Sequence, residues 1–117
     1  MVEEGTLATK IVWNSKHQKF ETENKKSYIQ YNFKVSKNGE QVMDLIHTYV
    51  PPSMRGLGLA SLLCSAVFCH AETHSLLVSP TCSYVSDTFL PRNPSWAALV
   101  YKGDEVVRGS VVVNSKI

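Results

Sequence analysis

The sequence predicts an α/β domain of the α+β kind: a mixed, mostly antiparallel sheet with one long helix and one or two short ones. Three observations predict it. Tyr28 to Ser36 (YIQYNFKVS) alternates with period two, as a half-buried strand does. Asn38-Gly39 separates it from a second strand-like run, Gln41 to Val50, and Asn-Gly is the strongest short hairpin signal. Beyond Pro51-Pro52 the period lengthens, and Leu59, Leu62, Leu63, Ala66, Val67 and His70 recur at three- and four-residue spacing, which marks one face of a helix. The resulting order ββββαβα argues for a mixed sheet with a right-handed crossover through the long helix.

Taken in order, residues 1–9 form a polar lead-in, 10–101 a single domain and 102–117 a C-terminal tail. Lys10 to Asn14 (KIVWN) starts the sheet, a polar turn spans Ser15 to Lys19, and Phe20 to Thr22 is a short second strand. In the third strand, Tyr28, Gln30, Asn32 and Lys34 share one face and Ile29, Tyr31, Phe33 and Val35 the other. The helix runs from near Leu57 to His74. Leu76 to Ser79 is a short apolar strand, of the kind usually interior. Ser83 to Leu90 fits two helical turns stopped by Pro91, and Pro94-Ser95-Trp96 opens another short segment.

Composition limits the function classes. A chain of 117 residues with 44% hydrophobic content can bury a core without disulfides or metal. A formal charge of +2 gives no footprint for nucleic acid, and the apolar stretches are too broken to span a membrane. Between Leu45 and Pro91 only Arg55, Glu72 and Asp87 are charged. Cys64, Cys69 and Cys82 have no CxxC spacing, so neither a disulfide framework nor a zinc knuckle is expected. His70 and His74 stand four apart, but His-Ala-Glu-Thr-His is not HExxH, and no metal is expected there. Cys64 and Cys69 are assigned to the core, and Trp13 and Trp96 to packing. The N-terminal stretch carries Glu3 and Glu4 and no apolar run, so no secretory signal is expected. Ser115-Lys116-Ile117 is one conservative change from the SKL peroxisomal address, which predicts a peroxisomal import receptor as partner, with the cytosol otherwise.

The string with the most chemistry is Tyr49-Val-Pro-Pro-Ser-Met-Arg-Gly-Leu-Gly-Leu-Ala60. A strand ends at two prolines, and a glycine turn then opens a helix with no Ser, Thr, Asp or Asn in the N-cap position, so its first amides need another acceptor. Gly56 and Gly58 admit a ligand to the backbone, and Arg55 and the helix dipole favour an anion. These residues make a pyrophosphate cradle that is neither GxxxxGKS nor GxGxxG.

Arg55, Gly58 and Ala60 match the acetyl-CoA loop pattern Gln/Arg-x-x-Gly-x-Gly/Ala, and here the sequence resembles the GNAT acetyltransferase superfamily. VMDLIHTYVPPSMRGLGLASLL followed by SPTCSYVSDTFLPRNPSW is similar to its small single-domain members, most closely short plant acetyltransferases. The resemblance covers roughly Ile11 to Trp96. It implies splayed central strands and an acetyl-CoA (coenzyme A) donor lying between the strand ending at Val50 and the strand ending at Ser79. Backbone near Tyr49 and Val50 would pair with the pantetheine amides. Arg55, Gly56, Leu57, Gly58, Leu59 and Ala60 would take the pyrophosphate, with Ser83 and Ser86 also at the cofactor; Arg92, isolated between Pro91 and Asn93, either touches the 3′-phosphate of coenzyme A or caps carbonyls.

His47 is a candidate general base, its ordinary pKa being near operating pH. Cys82 precedes a short helix whose N-terminus favours a thiolate, and the resemblance makes it a nucleophile or a general acid. Many GNAT enzymes carry a general-acid Tyr in the helix after the second splayed strand. Here that helix has Phe89, with Tyr84 one turn earlier, so Tyr84 or Cys82 substitutes, or water does. The implied activity is N-acetylation of a primary amine by a monomer, directly or through acetyl-Cys82; the acceptor is a small molecule or a protein lysine, histone-like in vitro. The alternative is a CoA- or acyl-CoA-binding module without transferase activity.

Overall fold

The computed structural model describes residues 10–103. The lead-in, Ser115-Lys116-Ile117 and nearly all of the assigned tail lie outside the described residues. Strands β1 (Ile11–Asn14), β2 (Lys19–Thr22), β3 (Tyr28–Val35) and β4 (Gln41–Tyr49) form an antiparallel meander. Helix α1 (Leu59–Thr73) returns the chain to β5 (Leu77–Ser79), which lies parallel to β4 and completes a sheet ordered β1-β2-β3-β4-β5. The predicted element order and mixed sheet are therefore present. The expected interior strand β5 ends the five-strand order instead, although Val78 bridges Val100 and its carbonyl accepts the Tyr101 N–H at 2.8 Å.

The β3–β4 hairpin turns through Ser36 to Glu40. Gly39 alone in that turn is left-handed (φ +83°), so the connection is not the two-residue turn in which both central residues need positive φ. The Ser36 hydroxyl instead braces the turn, accepting from the Asn38 and Glu40 N–H groups.

Burial differs from simple alternation at two places. In β3, Ile29 and Tyr31 are buried as expected, but Phe33 and Val35 are exposed and lie outside the core cluster. In β4, Gln30 pairs with His47 and Tyr31 with Leu45, which leaves Ile46 as a bulge. One extra residue reverses the side-chain parity beyond it. Met43 and Leu45 thus face the core, Thr48 follows them toward Cys82, and His47 and Tyr49 turn to the opposite face.

Helix α1 buries Leu59, Leu63, Cys64, Val67, Phe68 and Ala71. The expected stripe is corrected on one flank: Leu62 is 39% exposed, and Ala66 and His70 are half-buried. Cys69 is exposed and not in the core. The buried stripe tilts because α1 is covered on two sides. The sheet covers one, and on the other Phe68 meets Phe89 and Trp96, each with ring centroids 5.6 Å away. Trp13 packs on His70 (4.4 Å) and donates to the Tyr31 hydroxyl at 2.8 Å.

After β5 the chain is helical from Ser83 to Arg92. Pro91 does not stop it. Val85–Phe89 forms a widened π-helical turn that runs into the α-helical turn Leu90–Arg92. A proline lacks an N–H and collides with the carbonyl four residues back, and the wider turn accommodates both. A 3₁₀ segment, Pro94–Leu99, follows. Among the described residues no helix is long and apolar enough to cross a membrane.

Candidate active site

The sheet opens where β5 leaves β4. Their pairing consists of Val42 with Leu77, Met43 with Val78 and Asp44 with Ser79. Pro80 and Thr81 then turn away, with the Thr81 hydroxyl donating to the Asp44 carboxylate. Cys82 N–H donates to the Leu45 carbonyl at 2.8 Å, closing the base of the opening beside the bulge. Beyond it, Ile46 to Tyr49 has β3 on one side and no strand partner toward β5.

The cradle lies at the mouth of this opening. Pro52–Met54 forms a 3₁₀ turn, Arg55 is extended, and Gly56 and Gly58 take φ of +86° and +78°. Gly58 is the N-cap of α1, and no side chain caps the helix. A Cβ on either glycine would meet no protein atom within 4 Å, so the glycines serve the backbone conformation and open approach, not protein packing. The exposed amides and dipole of α1 point into a cleft of about 200 Å³ bordered by Arg55, Gly56, Gly58, Ala60, Ser61 and Tyr84. A second cleft of about 230 Å³ shares Val50, Arg55, Ala60 and Tyr84 and adds Thr48 and Tyr49. This pairing of an uncapped helix end with a cation fits a pyrophosphate, and the adjoining cleft along β4 fits an extended acyl carrier.

The expected residues divide into groups. Tyr49, Val50, Arg55, Gly56, Gly58, Leu59, Ala60 and Tyr84 line the clefts. Leu57 points away, at 67% exposure. Val50 is not wholly free to pair with a ligand, since its carbonyl accepts from Arg55 Nε at 2.9 Å. That bond holds the guanidinium over the cradle. Ser83 is exposed, its carbonyl accepting from the Ser86 hydroxyl, which also meets Asp87. Arg92 is exposed and close enough to Tyr84 to act on its titration.

Cys82 is half-buried, its Sγ 3.4 Å from Thr48 Oγ1. Its carbonyl accepts from the Val85 and Ser86 N–H groups, so it begins the helical segment. Cys64 is buried beneath, and burial, with the nearby Cys82 sulfur adding to it, pushes its thiol up to about 12. Cys64 stays protonated and inert. Burial foremost, and then Cys64, raises the Tyr84 phenol above its ordinary value, while Arg92 pulls it back. Tyr84 therefore holds its proton at neutral pH. Phe89 is buried against Phe68 and does not face the clefts. His47 lies on the other side of the sheet, 5.9 Å from the Tyr28 ring, so it is not brought together with Cys82.

Sequence reasoning missed Thr48, Met54 and Ser61. Ser61, a hydroxyl in the first turn after the glycines, carried a readable signal. Thr48 did not, because its facing depends on the bulge. The His70–His74 pair stacks at 4.1 Å among aromatic rings, and no group of three metal-ligating side chains occurs among the described residues. A family model described as GCN5-related N-acetyl-transferase matches residues 17–99.

Proposed function

Because the chain belongs to the GCN5-related N-acetyltransferase family, and so uses acetyl-CoA as acyl donor, we propose that it transfers the acetyl group to a primary amine at the opening beside Cys82. The observation that carries this reading is the continuity of the Arg55–Tyr84 clefts with the parted strands. In direct transfer the amine nitrogen attacks the thioester carbonyl carbon, the carbon–sulfur bond breaks, and the leaving thiolate takes a proton. Tyr84 is the proton donor: it borders both clefts, and its raised pKa keeps the phenol protonated. His47 shares its sheet face with Tyr49, which borders the Thr48–Tyr84 cleft, and takes the proton of an amine that approaches from that face.

A second route runs through acetyl-Cys82, and the Thr48 hydroxyl at 3.4 Å favours it by offering a hydrogen bond to a thiolate. Brief exposure to acetyl-CoA without acceptor, followed by mass spectrometry, separates the two. An acetylated Cys82 peptide supports the covalent route; no adduct, with undiminished turnover in Cys82→Ala, removes it. An amine and lysine-peptide panel tests the acceptor class, and acetylation of none of them overturns the amine assignment. Ser115-Lys116-Ile117, where it is carboxy-terminal in the cell, supports peroxisomal delivery. A fluorescent protein fused to the last ten residues tests that, and a diffuse signal overturns it.

A further inference from the structure

We infer that the ring cluster of Tyr28, His47 and Tyr49, on the sheet face away from α1, is the seat for the alkylammonium end of the acceptor, occupied in this structure by the chain's own Lys19. The inference rests on the proposed transfer to an amine and names what recognises that amine.

Directly opposed residues of antiparallel strands project to the same side. Lys19 pairs with Gln30 and Gln30 with His47, while Glu21 pairs with Tyr28 and Tyr28 with Tyr49. Two parallel rows therefore cross β2, β3 and β4. The bulge at Ile46 is what turns His47 and Tyr49 into them. The Tyr28 ring is the centre, 5.9 Å from both His47 and Tyr49.

The Lys19 ammonium lies 4.2 Å from the Tyr28 ring centroid, inside the roughly 6 Å range in which an aromatic face attracts a cation. Glu21, beside Tyr28 in its row, is 6% exposed, with its carboxylate held by Asn14 Nδ2 at 3.0 Å. A carboxylate in the same cross-strand row adds negative charge to that part of the sheet and so favours a cation there. Tyr49 also borders the cleft that holds Arg55 and Tyr84, so the seat adjoins the donor site. An ammonium on Tyr28 passes one proton to the neighbouring His47 imidazole, the neutral amine attacks the thioester carbon, and the second nitrogen proton replaces the one Tyr84 gives the leaving thiolate as the carbon–sulfur bond breaks. Lys19 acts as a displaceable occupant that competes with the acceptor.

The test uses n-butylamine at neutral pH, with binding followed by NMR in the absence of acetyl-CoA and acetyl transfer measured separately. Lys19→Met is expected to tighten binding and lower KM by about two- to five-fold, and Tyr28→Leu to weaken binding and raise KM by a similar factor. Tyr28→Phe, which keeps the ring face, should hold butylammonium within about two-fold of the native affinity, read by NMR. Should Tyr28→Leu fail to fold, Lys19→Met and Tyr28→Phe carry the test. Equal butylammonium affinity in native and Lys19→Met proteins overturns the seat. Differential binding without acetyl transfer in any variant supports the seat and overturns the transfer chemistry, so the two readings fail separately.

Discussion

Tyr84 and Phe89 lie five residues apart in one helical segment, and the turn between them decides which one faces the clefts. Phe89 goes into the core and Tyr84 into both clefts. Tyr84→Phe is expected to lower kcat by about 100-fold, the lower end for loss of a general acid, with coenzyme A still bound in a calorimetric titration. His70 makes a second prediction. Its burial against Trp13 and Phe20, and then the adjacent His74, lower its pKa below 6.5. The folded state thus binds fewer protons than the unfolded chain. The contribution of His70 to stability is whole above the unfolded value and is lost as pH falls below it toward the folded value. Thermal melts between about pH 7.5 and pH 5.5 should show a falling Tm in the native protein and a flatter profile in His70→Phe. The candidates on the glycine loop were legible because their chemistry depends on residue type and local order. The facing of His47 was not, since it depends on which side of Ile46 the register slips.

The loop from Pro51 to Ala60 works as an element and not as a set of side chains. Its two left-handed glycines orient the uncapped end of α1, and the Arg55–Val50 bond ties its cation to the strand before it. Gly58→Ala meets no steric obstacle, so its cost is the left-handed backbone alone, about 1–2 kcal/mol, read as a lower urea midpoint with unchanged slope. Arg55→Ala should raise KM for acetyl-CoA by about ten-fold, as expected for losing a charged hydrogen-bonding partner. Leu57→Ala, at an exposed position between the glycines, should leave that KM unchanged. The segment after β5 shows where local rules run out. Pro91 signals a helix end, yet the π-helical turn ahead of it lets the helix continue to Arg92.

Across the whole molecule, α1 is held between the sheet and the segment after β5, with Phe68 stacked on Phe89 and tilted against Trp96. Phe89 is 1% exposed, and Phe89→Ala should cost about 3–5 kcal/mol. That is a large share of the 5–15 kcal/mol typical of a domain, so the Tm should fall by more than about 10 °C. The clefts beside Arg55 would fail with it, since Tyr84 belongs to the same helical segment. By itself the sequence determined the order of strands and helices, the hairpin, the glycine loop that opens α1 and the family resemblance, because periodicity, glycines and prolines act over a few neighbouring residues. Only the tertiary structure decided which face of the sheet each β4 residue serves, that Thr48 meets Cys82 while His47 meets Tyr28, and that Lys19 rests on an aromatic ring beside the donor cleft. The β4 outcomes follow from one unpaired residue, Ile46, and the Lys19 contact from the β2–β3 register, both set by pairing between strands that are separate in the chain.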